Sequence, residues 1–251
     1  MRRRIQLLEH SFAERPAFDT AVSRALLHAV GEGREPESLR LHTPGEVVAF
    51  SILDRAKPGF QAAVAAAQRE GFQAVLRLAG GRAAVFHRQT LSFSWCVPAR
   101  DARRGIRQRF EAVGRVIAEA FRDLGVDARV GAVPGEYCPG EHSVNARGKT
   151  KLMGVGQRVV RHAAHVGGVV VVAGAPRIRQ VLVPVYREMG LRFDPASVGS
   201  LSDEVGGISV ADVAGALRSA FQRRHDLFPA EISTALLTDA ESLAPEHVLC
   251  P

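Results

Sequence analysis

Three lysines stand against 30 arginines in this chain, and two of the three, Lys149 and Lys151, share one tripeptide. Arginine stays protonated under ordinary conditions, whereas a lysine amine can lose its proton or have its pKa moved by its surroundings. Two lysines placed together in an arginine-dominated chain reflect either codon usage and chance or a need for an amine there. Alternation along an extended segment would put both on one face. Upstream, Gly135-Glu136-Tyr137-Cys138-Pro139-Gly140 sets a cysteine in a loop framed by turn formers, where an exposed thiol would sit. A nucleophilic cysteine works as the thiolate, which a nearby ammonium or imidazolium favours. Lys149, Lys151, His142 and His165 are the neighbouring candidates in the chain, although an inert loop thiol explains the same residues. Cys96 falls in an apolar alternating run and reads as core, and Cys250 reads as a tail thiol.

A second constellation is Arg77-Leu78-Ala79-Gly80-Gly81-Arg82-Ala83-Ala84-Val85-Phe86-His87. Paired glycines let a backbone approach a ligand closely, and successive N–H groups can cradle a carbonyl or phosphate; a tight hairpin with positive φ uses the same residues. Neither GxxxxGK[ST] nor GxGxxG occurs, so standard nucleotide loops are absent. Ser94 and Ser143 lack a nucleophile elbow. Three cysteines without metal-ligand spacing give neither a disulfide framework nor a zinc site.

Elements must hold these groups, and the composition allows them. With 251 residues, 46% hydrophobic and 24% charged, the chain can bury a sizeable core, and neither disorder nor a repeat architecture fits. The formal charge of +7 favours an acidic partner surface, but no basic run interleaved with aromatics or helix-turn-helix pattern points to nucleic acid. The N-terminal MRRRIQLLEH is not a signal peptide, and the run Val166 to Ala175 is too short to span a bilayer at roughly 20 residues. A cytoplasmic protein without membrane partners is expected.

Periodicity predicts helices over 16–30, 61–70, 103–124, 177–189 and 210–223, the clearest being 103–124, with Ile106, Phe110, Val113, Ile117, Phe121 and Leu124 on one stripe. Strands are predicted over 39–42, 47–52, 72–78, 83–87, 91–97, 128–133 and 166–173, with a hairpin of 142–146 and 151–160 turning at Asn145-Ala146-Arg147-Gly148. The order is neither a strict βαβ repeat nor all-β, so a mixed sheet flanked by helices is the economical fold class.

In their order along the chain, Arg77, Gly80-Gly81, His87, Cys138, the Lys151-x-x-Gly154-x-x-Gln157 element and His165-Val166-Gly167-Gly168 resemble the biotin/lipoate protein ligase catalytic domain superfamily. The resemblance spans roughly residues 10–225 and includes Ser38-Leu39-Arg40-Leu41; within it, Tyr-Cys-Pro-Gly looks most like the cysteine-dependent octanoyltransferases that pass octanoyl between lipoyl-domain proteins. Departures are Arg82 where the family usually has a third glycine, Leu76 in place of its first arginine, and Gly156 where Ala or Ser is commoner.

The resemblance implies an α+β fold with a mixed, largely antiparallel sheet flanked by helices, like class II aminoacyl-tRNA synthetases and biotin synthetase, in a catalytic domain over 1–225 followed by a C-terminal tail over 226–251. It implies an acyltransferase in which Cys138 carries an octanoyl or lipoyl thioester and passes the acyl group to a lysine of a lipoyl-domain protein. Lys151 would lower the thiol's pKa and hydrogen-bond the acyl carbonyl. Arg77, Gly80, Gly81, His87, Gly154, Gln157 and His165 would bind substrate, and Val85 and Phe93 would line an acyl tunnel. No cofactor or metal is needed; partners are lipoyl-domain proteins (glycine cleavage H protein, dehydrogenase E2 subunits) or acyl carrier protein, not nucleic acid. The alternatives are an ATP-dependent lipoate-protein ligase, with ATP and Mg, and a degenerate member that binds acyl groups or lipoyl domains without turnover.

Overall fold

The computed structural model of the chain describes residues 2–250. Eleven strands and eight helices alternate along it: β1 (Arg3–Leu8), α1 (Pro16–Gly31), β2 (Ser38–His42), β3 (Val47–Phe50), α2 (Ile52–Arg55), α3 (Phe60–Arg69), β4 (Gln73–Leu76), β5 (Ala84–Phe86), β6 (Thr90–Pro98), α4 (Ile106–Asp123), β7 (Ala128–Val130), β8 (Val144–Ala146), β9 (Thr150–Val159), β10 (Ala163–Val171), α5 (Ala175–Glu188), α6 (Leu201–Val205), α7 (Val210–Gln222), β11 (His225–Pro229) and α8 (Thr234–Leu243).

Eight strands form one sheet in the order β11-β1-β2-β6-β10-β9-β8-β7, and β4-β3-β5 form a second. In the large sheet only β1 pairs in parallel, with β11 and β2; the five remaining pairings, from β2 through to β7, are antiparallel. This is the mixed, largely antiparallel architecture that the sequence implies.

Strand alternation divides the large sheet into two unlike faces. One carries Leu39, Leu41, Leu91, Phe93, Trp95, Val166 and Val170 and packs against Val113, Ile117 and Phe121 of α4 and Leu217 and Phe221 of α7. The periodic stripe expected over 103–124 is thus the buried seam, although its first residue, Ile106, stays 40% exposed. Gly105 at φ 82° delays the helix start to Ile106. The other face is covered by α1, whose Leu26 and Leu27 pack with Leu236 and Ala240 of α8. The small sheet packs on α3 and α5 through Val48, Phe60, Val64, Ile178 and Leu182.

Three findings lie outside the sequence reading. β1, which the sequence reading left unassigned, is an inner strand next to the edge of the large sheet, and its pairing with the edge strand β11 draws the C-terminal stretch into the sheet. Residues 226–250, expected as a tail, continue through α8, whose Glu241 is salt-bridged to Arg15 just ahead of α1, to a bridge between Val248 and Val75. His247 Nδ1 lies 2.6 Å from the Leu76 carbonyl, so this stretch buttresses β4, the strand leading into Arg77. Among the described residues no helix is long and apolar enough to cross a membrane.

Candidate active site

The β8–β9 hairpin turns through Arg147 and Gly148, both at positive φ (56° and 73°), the geometry of a tight hairpin turn. Asn145 Oδ1 accepts the Gly148 N–H at 2.7 Å. This turn fixes the register of β9, and with it Lys151, whose side chain is 1% exposed. Lys149 stays on the surface.

Lys151 Nζ donates to the carbonyls of Tyr137 (3.0 Å) and Cys138 (2.7 Å) and lies 3.4 Å from Glu136 Oε1. Glu136, which the sequence reading passed over, is the anchor of the loop. Its fully buried carboxylate also accepts from Ser143 Oγ and the Gly140 N–H through Oε1 and from the Val133 N–H through Oε2. An ammonium has three protons, and these three acceptors use all of them. The hydrogen bond from Lys151 to an acyl carbonyl, expected from the family resemblance, is therefore not free to form in this arrangement.

Cys138 occupies the left-handed region at φ 44°, rare for a non-glycine residue and sustained only by surrounding structure. Tyr186 of α5 supplies it: its hydroxyl accepts the Cys138 N–H at 2.9 Å and donates to the Ala83 carbonyl at 3.0 Å, tying the cysteine loop to the glycine turn. No sequence signal marks Tyr186, which lies far along the chain from Cys138. The glycine turn meets the thiol directly. The Arg82 N–H donates to Cys138 Sγ at 3.1 Å, and Arg77 Nη2 lies 3.6 Å from the same sulfur. Gly81, at φ 104°, leaves the space this requires, since a Cβ there would stand 2.8 Å from Sγ. Ser51 Oγ holds the turn by donating to the Gly81 carbonyl at 2.7 Å; Gly80 is open, its carbonyl accepting from Arg77 Nη2.

Burial alone would push the Cys138 thiol up, but the charges of Arg77 and Lys151, with the Arg82 N–H, outweigh it and hold the thiol below the ordinary cysteine value. Burial also lowers the Lys151 ammonium, which Cys138 and Glu136 partly restore. A thiolate is thereby favoured on the wall of the smaller of two neighbouring cavities. The smaller, about 20 Å³, is lined by Cys138, Lys151, Tyr137, Gly154, Gly156 and Val155 among others. The larger, about 100 Å³, runs between α1, the small sheet and the second face of the large sheet. Arg77, Phe86, Gly167 and Gly168 belong to both. Arg77 Nε is buried without a partner at that junction.

Of the residues singled out from sequence, Cys138, Lys151, Arg77, Gly81 and Gly154 come together, with Gly80 at the edge. His165 lines the larger cavity, its pKa taken down to about 4 by burial and by Arg40. His87 lines neither cavity: it is buried in the β5–β6 turn, where its Nδ1 accepts the Gln89 N–H. Gln157 is tied to α4, donating to the Ile106 carbonyl at 2.8 Å and accepting from Arg109 Nε at 2.9 Å. Phe93 borders the larger cavity but its side chain packs in the core on the opposite face of the sheet, whereas Val85 packs into the small-sheet core and its neighbour Phe86 borders both cavities instead.

The fold belongs to the lipoate-protein ligase class. Lipoate-protein ligase A bound with ATP superposes with a TM-score of 0.73 at 20% identity, covering 98% of this chain and 94% of the ligase. The Thermoplasma acidophilum bipartite lipoate protein ligase, solved in a study of an archaeal lipoylation system and its E2 lipoyl domain, gives 0.70 at 21% identity over 98% and 91%. Residues 15–222 match the lipoyl protein ligase A/B catalytic domain, and the chain belongs to that family. Among curated relatives, the octanoyl-[GcvH]:protein N-octanoyltransferase of Geobacillus kaustophilus is 28% identical over 205 residues, 76% of this chain and 72% of the relative. The lipoyl-[GcvH]:protein N-lipoyltransferase of Listeria monocytogenes is 28% identical over 204 residues, 75% and 72%.

Proposed function

We propose that this protein is an acyltransferase of protein lipoylation that moves octanoyl or lipoyl groups from one lipoyl-domain protein to a lysine of another through a thioester on Cys138. The observation that carries the reading is the setting of Sγ: it accepts the Arg82 N–H, lies beside Arg77, and belongs to a residue lining the smaller cavity, which shares Arg77, Phe86, Gly167 and Gly168 with the larger. The names of the relatives supply the donor class, the glycine cleavage H protein. E2 subunits are the second acceptor class, and acyl carrier protein is the alternative donor.

In the first half-reaction the thiolate attacks the acyl carbonyl, the donor's C–N bond breaks, and the leaving amine takes up a proton. In the second, an acceptor lysine amine attacks the thioester carbonyl and loses a proton, the C–S bond breaks, and the thiolate is regenerated. One acyl–nitrogen bond is exchanged for another, so neither nucleotide nor metal is required. Arg77 Nε is the unpartnered donor for the developing oxyanion, and a single such donor contributes about 3–4 kcal/mol in comparable sites. Lys151 acts on the loop instead: it clamps the carbonyls on either side of the Tyr137–Cys138 peptide and adds its charge to the field on the thiol. The chain's +7 charge suits attraction of acidic carrier domains. The thiol must stay reduced, which fits a cytoplasmic setting.

The test is incubation with octanoylated donor protein and apo lipoyl domain, with and without ATP. Transfer without ATP that disappears in Cys138→Ala supports the reading. Transfer that needs ATP and survives Cys138→Ala indicates the ligase alternative, and binding without turnover indicates a non-catalytic member.

A further inference from the structure

The small sheet that carries Arg77 into the site has an edge at β4. Its order is β4-β3-β5, so β4 pairs with β3 on one side only, and its strands run for three or four residues, short enough to fray at their ends. Arg77 is the first residue past β4. Its N–H donates to the Phe50 carbonyl of β3 at 2.8 Å, which holds one side of the Leu76–Arg77 peptide. The carbonyl of that peptide points away from β3, where an uncovered edge strand would leave it to water. The C-terminal stretch closes this edge. Val248 forms an antiparallel bridge with Val75, Leu249 packs against the small-sheet core, and His247, 3% exposed, reaches the Leu76 carbonyl through Nδ1 at 2.6 Å.

A carbonyl only accepts, so Nδ1 carries the imidazole proton, and Nε2, buried without a partner, holds the lone pair. Burial is the largest influence on the ring and lowers its pKa, ahead of the opposing Leu76 carbonyl, so His247 is a neutral donor at neutral pH. The ring is held from the α1 side: Glu246 pairs with Arg24 of α1 at 2.7 Å, and α8 packs on α1 through Leu236 and Ala240. The Leu76–Arg77 peptide is thereby gripped at both ends of its dipole, by Phe50 and by His247. Its plane sets where the Arg77 side chain starts, and the guanidinium ends on the Gly80 carbonyl and 3.6 Å from Cys138 Sγ. Burial pushes that thiol up, and Arg77 is the foremost of the influences that bring it down. The residues matched to the family stop at 222, so no motif points to residue 247.

We propose that His247 is a positioning residue for the transfer reaction: by holding the Leu76–Arg77 peptide from the edge of β4, it keeps the Arg77 guanidinium against Cys138 Sγ. This rests on the proposed transfer function only for the reaction that the geometry serves. The test compares His247→Phe, which keeps a ring without a donor, with His247→Asn, whose Nδ2 donates from the same number of bonds along the side chain as Nδ1. Alkylation by iodoacetamide is followed against pH on the Cys138 peptide by mass spectrometry, together with octanoyl loading of Cys138 from a donor protein. From its 3.6 Å separation, a retreat of the guanidinium by about 1 Å raises the alkylation midpoint by about half a pH unit and slows loading about tenfold. His247→Phe should show both effects and His247→Asn neither. In an Arg77→Ala background His247→Phe should leave the midpoint where it is, whereas a general loosening of the site would move it further. If His247→Phe does not fold, His247→Ala is read in its place on the same midpoint. A midpoint unmoved by loss of the donor, a shift that His247→Asn shares, or a shift that persists without Arg77 overturns the proposal. Alkylation needs no acyl donor, so loading by the parent protein with an unmoved midpoint removes this inference and keeps the transfer function, and a midpoint shift in a protein that never loads does the reverse.

Discussion

Cys96, in the middle of the large sheet, and Cys138, in the loop preceding β8, are both drawn away from water, and burial pushes both thiols up. At Cys96 nothing adequate opposes it. Its Sγ lies 3.9 Å from His165 Nδ1, Arg40 offsets burial only in part, and the thiol rises to about 12. At Cys138 two cations and a backbone N–H reverse the sign. Burial therefore does not decide whether a cysteine is inert; the decision lies in which charges the fold can afford to bury beside it. Here the cation costs desolvation that is met locally, because Lys151 is clamped by two carbonyls and by Glu136, itself satisfied by three further donors.

The largest separation between the two thiols is expected in activity. Cys138→Ser should reduce transfer by at least about 10³-fold, as loss of a nucleophile does in comparable enzymes, while Cys96→Ala retains transfer in the same assay. Equal loss in both variants would erase the distinction.

Lys151→Met should be the most damaging change to the fold of the site, because it strands the Glu136 carboxylate in the interior. Urea denaturation should register a loss of about 3–5 kcal/mol, and alkylation of Cys138 by iodoacetamide at neutral pH should slow. Lys151→Arg should not restore either property, since a planar fork does not fit a point acceptor set made for an ammonium.

The pH dependences of the two thiols should run apart. Cys138 has a lowered pKa, so its alkylation rises with pH and reaches half its maximum below the ordinary cysteine value of about 8.5; Arg77→Ala should move that midpoint upward. Cys96 has a raised pKa, so its protonated thiol contributes stability that is fully present below about pH 8.5 and is lost as pH climbs toward about 12. At pH 10 the parent protein should have lost about 1–2 kcal/mol relative to Cys96→Ala, compared by denaturation at pH 7 and pH 10.

Tyr186→Phe should have the smallest effect, about 1 kcal/mol for hydrogen bonds removed without loss of the ring. Because Tyr186 acts by holding the Cys138 backbone, the loss should appear in kcat with the midpoint of the alkylation profile nearly unmoved.

Most of the scaffold was legible in the chain because local periodicity carries it: the α4 stripe, the hairpin turn at Arg147-Gly148 and the alternation of β6 each declare themselves within a few residues. The edges were not. β1 and β11 are short, polar at intervals and stabilised by each other across the whole length of the chain, so neither stands out alone. In the site, motif spacing drew attention to Cys138, Lys151 and the glycine pair, whereas Tyr186, His247 and the clamp role of Glu136 depend on contacts between distant segments. His87 and Gln157 show the converse: motif membership drew attention to them, and local hydrogen bonding holds their side chains in a turn and against α4.

The most direct test of the difference between the two cysteines is to quench a reaction with octanoylated donor protein in acid, without ATP, and map the acylated peptide by mass spectrometry. The account predicts a hydroxylamine-labile octanoyl adduct on Cys138, none on Cys96, and its disappearance when apo lipoyl domain is added. Transfer that proceeds at full rate with no adduct on Cys138 would contradict it.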